Sequence, residues 1–121
     1  MIYNNINQFV SLKPAYYRFL KAIHFTRNIS AEGCSRYDVE IIVGKLSGDQ
    51  VEDLRLRCTN ALEIKIGDIE SMSGLRLEIE DIKNRQLEGV SYRITEQEED
   101  SFSFNCSEFY VELMNELLEP A

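Results

Sequence analysis

A strict alternation of apolar and polar side chains runs through the second half of the chain. From Leu75 to Ile79 the odd positions are leucine or isoleucine and the even ones are charged, and the alternation recurs in 90–95, 101–106 and 109–113. Successive side chains of a strand point to opposite faces of a sheet, so this period puts apolar residues on one face and polar residues in water. Several such runs in succession predict an antiparallel sheet with one buried face.

Further strands are predicted before this region. Residues 28–36 have the composition of a loop, and 37–43 has the alternation of a strand. Two more strands are predicted at 54–58 and 62–66, as neighbours joined by a tight turn at 59–61. That turn would place Arg55 and Arg57 across from Glu63 and Lys65 on the solvent-exposed face of the sheet.

Two further segments are ambiguous between helix and strand. Residues 15–27 are rich in aromatic residues and fit both periods, and we favour a strand after a helical turn at Pro14, with Phe19 on its apolar face. Residues 107–118 also fit both, and we favour a strand through Leu113 followed by a frayed or briefly helical tail.

The predicted fold class is all-β, a mainly antiparallel β-sandwich or a curved sheet. It rests on about seven short strands with turn signals between them. Apolar residues at helical spacing in 1–12 add a short N-terminal helix. Because the 121 residues contain no linker or internal repeat, residues 1–121 are predicted to form a single domain.

The sequence contains no recognisable catalytic motif. His24 is the single histidine, and Cys34 lies ten residues further on, so a Cys–His pair stays open, although a half-buried structural histidine is favoured. The six glycines are dispersed and no serine lies in a Gly-x-Ser-x-Gly motif. The sequence therefore disfavours an enzyme, and we assign no catalytic residue, no metal ligand and no cofactor.

Charge is distributed unevenly along the chain. The net charge is -8, and residues 63–121 contain 15 acids against five basic residues, whereas residues 1–31 contain no acid. Such a balance repels nucleic acid and anionic membranes and attracts basic proteins. The predicted partner-binding residues are acids on the outward face of the sheet and on the loop that borders it: Glu78, Glu80, Glu96, Glu98, Glu99 and Asp100.

Two alternative functions remain open. Asp68, Glu70 and the 96–100 loop would bind calcium if the chain were a C2-like or other ligand-binding β-sandwich, because loop carboxylates supply oxygen ligands to this cation. The other alternative is a structural or assembly protein, in which the basic residues of 1–31 dock on the acidic half of a second copy and form a homo-oligomer.

Cysteine use and the start of the chain bear on its location. Cys58 and Cys106 both fall at inward positions of predicted strands, where we favour free thiols in a reducing compartment over a disulfide between them. The N-terminal residues lack the basic and then apolar pattern of a signal peptide, and no apolar stretch approaches the length of a membrane span. A cytoplasmic location is predicted.

The segments GLRLEIEDI, RQLEGVSYRI and EEDSFSFNC, all within 54–113, carry a family resemblance. They resemble small, acidic, mostly uncharacterised bacterial proteins rich in β-strands, some of which are similar to immunity proteins of polymorphic toxin systems. The resemblance implies a cytosolic protein that neutralises a toxin domain, often a basic nuclease, by covering its active site. We therefore interpret the chain as a non-enzymatic acidic binding protein, an immunity or inhibitor protein directed against a basic toxin domain.

Overall fold

The computed structural model describes residues 2–29, 31, 35–70, 74–85, 89–98 and 100–114. Predictions that concern Cys34, Glu99 and the tail after Met114 lie outside these residues. The elements in chain order are β1 (Ile2–Tyr3), α1 (Ile6–Ser11), a 3-10 turn (Pro14–Tyr16), β2 (Phe19–Ile29), β3 (Ser35–Ser47), β4 (Gln50–Ile66), β5 (Leu77–Asp81), a second 3-10 turn (Lys83–Arg85), β6 (Tyr92–Glu96), β7 (Phe102–Cys106) and β8 (Glu108–Met114). In this part of the chain no helix has the length and hydrophobicity needed to cross a bilayer.

The strands form a curled antiparallel sheet, a half-barrel, which confirms the all-β prediction and selects the curved sheet over the sandwich. The strand order is β1-β8-β4-β7-β6-β5, and β3 and then β2 pair beyond β4. β7 leads directly into β8. β7 pairs with residues 62–66 of β4, and β8 pairs with residues 53–59 of the same strand. The long β4 strand therefore holds the two parts of the sheet together.

The prediction of two separate strands at 54–58 and 62–66 is wrong, because β4 is one strand of 17 residues that bends in its middle. Asn60 and Glu63 both adopt positive φ. The register of β4 with β3 shifts between Cys58 and Ala61, and its register with β7 shifts between Leu62 and Lys65. The predicted polar pairs across a turn at 59–61 therefore do not form. Arg57 instead lies opposite Glu40 of β3, and Arg55 lies opposite Glu112 of β8.

Hydrogen bonds fix the bend of β4 against the junction between β7 and β8. The backbone N–H of Ser107 donates to the carbonyl of Thr59 at 3.0 Å. The side-chain amide of Asn60 donates to the Ser107 hydroxyl at 3.2 Å. The Ser107 hydroxyl also donates to the carbonyl of Thr59, and the Asp38 carboxylate accepts the backbone N–H of Asn60, both at 3.2 Å, so polar side chains satisfy backbone groups at the bend.

The N-terminal segment confirms the short helix and corrects the strand that follows. The six-residue helix α1 begins after Asn5, whose side chain accepts the backbone N–H of Gln8 at 2.9 Å. Residues 15–27 form the 3-10 turn and most of β2, as favoured, but the strand bulges between Leu20 and Ala22. The bulge brings Leu20 to the half-buried side and leaves Phe19 51% exposed, so the prediction that Phe19 lies on the apolar face is wrong.

The predicted loop at 28–36 is shorter than expected, because β2 and β3 extend into it and pair as far as Ile29 and Ser35. The turn from β3 to β4 consists of Gly48 and Asp49, with Gly48 at a φ of +64°. A positive φ at this position of a two-residue hairpin favours glycine, which has no Cβ to clash with the backbone.

The inward faces of the strands share one hydrophobic core. Five strands contribute buried aliphatic residues to it, among them Val39, Ile41, Val43, Leu54, Leu56, Leu77, Ile94 and Val111, and Leu75, just before β5, also belongs to it. The helix α1 packs against this core through Phe9, which is 2% exposed and whose ring meets that of Phe109 edge-on with centroids 6.5 Å apart. Burial of one such aromatic side chain contributes about 1.5–3 kcal/mol.

Period-two alternation predicts the inward side of β5 to β8 correctly, and β8 is a strand through Met114, as favoured for 107–118. Two polar residues are exceptions, since Ser101, just before β7, and Asn105, within β7, are buried although the pattern places them in water. The reason is that β7 is an interior strand between β4 and β6, where Asn105 donates its side-chain amide to Glu63 at 3.2 Å.

The two thiols of the core are free, as favoured, and both are buried. Burial, and then a hydrogen bond with Cys106, raise the pKa of the Cys58 thiol well above its ordinary value. An unfolded thiol ionises above about pH 8.5, where the folded Cys58 stays protonated, so a rising pH stabilises the unfolded state relative to the folded one.

We expect the free energy of unfolding to fall between pH 8 and 10, by at most about 1.4 kcal/mol per pH unit from this thiol. Urea unfolding across that range measures the fall, and the Cys58→Ala variant should show a shallower dependence. An equal dependence in both proteins would mean that the Cys58 thiol ionises as readily in the fold as in the unfolded chain.

Candidate protein-binding surface

Four of the six predicted partner-binding acids lie on the protein surface. Glu78 and Glu80 are exposed on the outward side of β5, opposite Thr95 and Arg93 of β6. Glu98 and Asp100 are exposed in the loop that joins β6 to β7, and Glu99 lies outside the described residues.

Glu96 corrects the prediction, because it is only 1% exposed and cannot present its carboxylate to a partner. Its Oε1 accepts the backbone N–H of Glu98 at 2.6 Å and that of Arg76 at 3.3 Å. Its Oε2 accepts the backbone N–H of Ser101 at 3.0 Å. Glu96 therefore organises the loop that carries Glu98 and Asp100.

Two backbone hydrogen bonds bring further acids to the same corner of the sheet. The N–H of Gln97 donates to the carbonyl of Arg76 at 2.9 Å, which joins this loop to the residue just before β5. The N–H of Gly67 donates to the carbonyl of Ser101 at 2.6 Å, which places the segment 67–70 beside the loop. The exposed acids around this corner, called the acidic surface below, are Asp68, Glu70, Glu78, Glu80, Glu98 and Asp100.

The calcium alternative gains no support from the arrangement of these acids. Among the described residues, no three histidine, cysteine, aspartate or glutamate side chains are grouped so as to hold a metal ion. Both carboxylate oxygens of Glu96, which this alternative placed in the binding loop, are instead engaged by backbone N–H groups.

An open groove of about 610 Å³ lies beside the acidic surface, between β5 and the segment of α1 and the first 3-10 turn. Buried Phe9 and Leu77 contribute to its lining, together with Val10 and Tyr16, which are 60% and 63% exposed. Glu78 belongs to both the groove and the acidic surface. Protein-binding sites combine an apolar centre with a polar rim, and this corner of the molecule offers both.

The groove could not be read from the sequence, because α1 and β5 are far apart in the chain and meet only in the folded state. The one available signal was Val10, an apolar residue that falls beside Phe9 and therefore cannot share its buried side of the helix.

His24 is exposed, so the half-buried position predicted for it is wrong. It lies on the outward side of β2, an edge strand in the described part of the sheet, and its side chain is 64% exposed. Its Nδ1 lies 3.6 Å from Oε1 of Glu40. The Cys34 that would complete a Cys–His pair is outside the described residues.

Two of the four basic side chains in residues 1–31 interact within the chain. Lys21 Nζ lies 2.7 Å from Oδ2 of Asp53, whose side chain is only 7% exposed. The guanidinium of Arg27 lies over the ring of Tyr37, 5.8 Å from its centroid. The Asp53 carboxylate offsets one of the positive charges that the assembly alternative assigned to this segment, whereas the neutral ring of Tyr37 offsets none.

A comparison of the sequence with models of protein families identifies the class of protein to which this chain belongs. The model of a family described as immunity protein PIM8 matches residues 1–112, which is nearly the whole chain. The chain therefore belongs to this family of immunity proteins, and the resemblance noted for 54–113 is confirmed. No curated protein and no solved structure was found to match the chain.

Proposed function

We propose that this protein neutralises a basic toxin domain by binding to it, without catalysing a reaction. The observation that carries the proposal is the acidic surface, where exposed carboxylates from three separate segments converge on one corner of a member of an immunity protein family. Opposite charges on two proteins accelerate their encounter and discriminate against partners of the same sign.

The adjoining groove supplies apolar contacts, which the carboxylates of the acidic surface cannot make. Charge at the rim of an interface changes mainly the association rate, whereas desolvated apolar and aromatic contacts at its centre slow dissociation. We assign the first role to Glu78, Glu80, Glu98 and Asp100, and the second to Val10 and Tyr16. We propose that the part of the toxin domain that binds there includes its active site. The free thiols in the core support action in a reducing cytoplasm.

A titration separates inhibition by binding from inhibition by catalysis. We expect an adjacent gene to encode the toxin domain that this protein binds, and that domain is the probe, held at a concentration well above its dissociation constant. We expect its activity to fall in proportion to the added protein and to reach its minimum at one equivalent, because each bound copy blocks one toxin molecule.

Full loss of toxin activity at a small fraction of one equivalent would show turnover and contradict a non-enzymatic mechanism. Unchanged toxin activity in the presence of a tenfold excess would contradict neutralisation by this protein altogether.

A further inference from the structure

Strand β5 forms one edge of the sheet, with β6 on one side and no strand on the other in the described part of the chain. An edge strand presents unpaired backbone N–H and C=O groups, which can pair with a strand of another molecule. β5 is short and carries the exposed acids Glu78 and Glu80 of the acidic surface. Its backbone therefore adds pairing groups to the corner that already carries the acids and the groove.

Three hydrogen bonds show which backbone groups of β5 face the open edge. On the side of β6, the carbonyl of Arg76 accepts the N–H of Gln97 at 2.9 Å, and the N–H of Ile82 donates at 2.9 Å to the carbonyl of the residue that precedes β6. On the opposite side, the N–H of Leu75 donates to the carbonyl of Arg18 at 3.0 Å. Even-numbered residues therefore turn their backbone groups toward β6, and odd-numbered residues turn theirs toward the open edge.

The alternation of an antiparallel ladder extends this assignment along the strand. The N–H and C=O groups of Leu77, Ile79 and Asp81 point to the open edge, and no backbone segment among the described residues pairs with them there. The bond from Leu75 to Arg18 shows that a backbone carbonyl fits against the start of this edge. A further extended chain would continue that pairing along β5.

The groove between β5 and the N-terminal segment opens along this edge. Residues 76–79 line it with inward side chains, such as Leu77, and with outward side chains, such as Glu78. Successive side chains of a strand point to opposite faces, so side chains of both kinds meet in one groove where the strand has a free edge. A chain paired with β5 would place its inward side chains beside Val10 and Tyr16.

We propose that an extended segment of the toxin domain pairs with β5 as an additional strand of the sheet, an inference that rests on the proposed function and specifies how the toxin is bound. Backbone hydrogen bonds to Leu77, Ile79 and Asp81 supply affinity in this mode of binding, and pockets for alternate side chains supply specificity. The segment that fits has apolar side chains at the alternate positions that face the groove.

The side chains of β5 favour a toxin strand over a second copy of this chain. Two copies paired antiparallel about Ile79 would place Glu78 of each copy opposite Glu80 of the other, and like charges directly opposite each other are destabilising. Arg76, on the same face, and Arg93, opposite Glu80, offset part of the acidic charge. The fit of a toxin strand therefore depends on backbone pairing and on the absence of carboxylates beside these acids, not on a high positive charge.

Hydrogen exchange of single backbone amides, followed by NMR in the free protein and in its complex with the same toxin domain, tests the pairing. We expect the amides of Leu77, Ile79 and Asp81 to exchange about 100-fold more slowly in the complex, because each donates to a carbonyl of the added strand. The amides of Glu78 and Glu80 face β6 and are internal controls, which we expect to be protected in both states.

A proline variant removes one donor of the open edge. Asp81→Pro deletes an N–H that faces away from β6, and proline is tolerated at such positions of edge strands. Asp81→Ala is the matched control, because it loses the same carboxylate and keeps the N–H. We expect Asp81→Pro to weaken the complex about tenfold and Asp81→Ala at most about threefold. Equal affinities of the two variants would contradict the pairing.

The exchange rates of the native protein separate failure of the inference from failure of the proposed function. If the complex forms and the three edge amides exchange as fast as in the free protein, the inference is overturned and the proposed function stands. If these amides are protected in the free protein and the protection grows with its concentration, a second copy occupies the edge and the inference is also overturned. If the native protein forms no complex with the toxin domain, the proposed function itself fails.

Discussion

Replacing Glu96 by alanine should lower the free energy of unfolding by about 3 kcal/mol, a large part of the stability of a domain of this size. The carboxylate is buried and accepts three backbone N–H groups, from Arg76, Glu98 and Ser101. A buried donor left without an acceptor costs about 1–3 kcal/mol, and here the bond from Ser101 is buried while the bonds from Arg76 and Glu98 are partly buried. Urea unfolding monitored by circular dichroism measures the change.

Two further variants define the cause of the loss. Glu96→Gln keeps one carbonyl oxygen as an acceptor but turns an amide N–H₂ toward a donor, and we expect it to lose roughly half as much. Glu98→Ala removes an exposed side chain of the same loop and leaves its backbone N–H in place, so its effect should stay within about 0.5 kcal/mol. A loss below about 1 kcal/mol for Glu96→Ala would contradict the loop-organising role of its carboxylate.

Glu96 also shows how far the sequence could be read. Val90, Tyr92 and Ile94 occupy the inward positions of their segment, and the next position of the same period is Glu96. The alternation therefore pointed to a buried glutamate, but the acidic composition of 96–100 favoured a surface interpretation instead. A carboxylate at an inward-facing position of a strand should be considered first as an acceptor for backbone N–H groups.

Local patterns predicted the strands but not how they combine. The bend in β4 depends on Asn60 and Glu63 at positive φ, residues that lack the signal a glycine would have given. The bulge in β2 that exposes Phe19 depends on pairing with β3, which is decided by the whole sheet. The all-β class can be predicted from the two-residue period alone. The register of each strand cannot, because it depends on pairing with strands that are distant in the chain.

The same limit applies to the functional surface. The exposure of Glu78, Glu80, Glu98 and Asp100 follows from the outward period and from loop composition, and the sequence was sufficient for it. The groove beside this surface was not predictable, because α1 and β5 come together only in the folded chain. Whether a partner contacts either area stays a prediction.

Charge reversal on the acidic surface should have the largest effect on binding. In the variant Glu78→Lys/Glu98→Lys, both substituted side chains are exposed, so the fold should be retained while the attraction for a basic toxin domain is lost. Electrostatic attraction raises association rates by about 10–10³-fold at low ionic strength. We therefore expect about a 100-fold slower association at low salt.

The matched control carries the same change in net charge on another part of the molecule. Ser47→Lys/Asp49→Lys/Gln50→Lys places three lysines at exposed positions in and beside the turn between β3 and β4, outside the acidic surface. Because salt screens charges over about 10 Å at 0.1 M, the difference between the two variants should shrink as the ionic strength rises.

The association rate with the toxin domain that this protein binds, measured by stopped flow at 20 mM and 500 mM salt, tests the central claim most directly. That claim is that an acidic corner of the half-barrel captures a basic toxin. It predicts that Glu78→Lys/Glu98→Lys associates about 100-fold more slowly than the native protein at low salt and nearly equally at high salt, with the control close to native in both. Equal association rates for the two variants at low salt would contradict it.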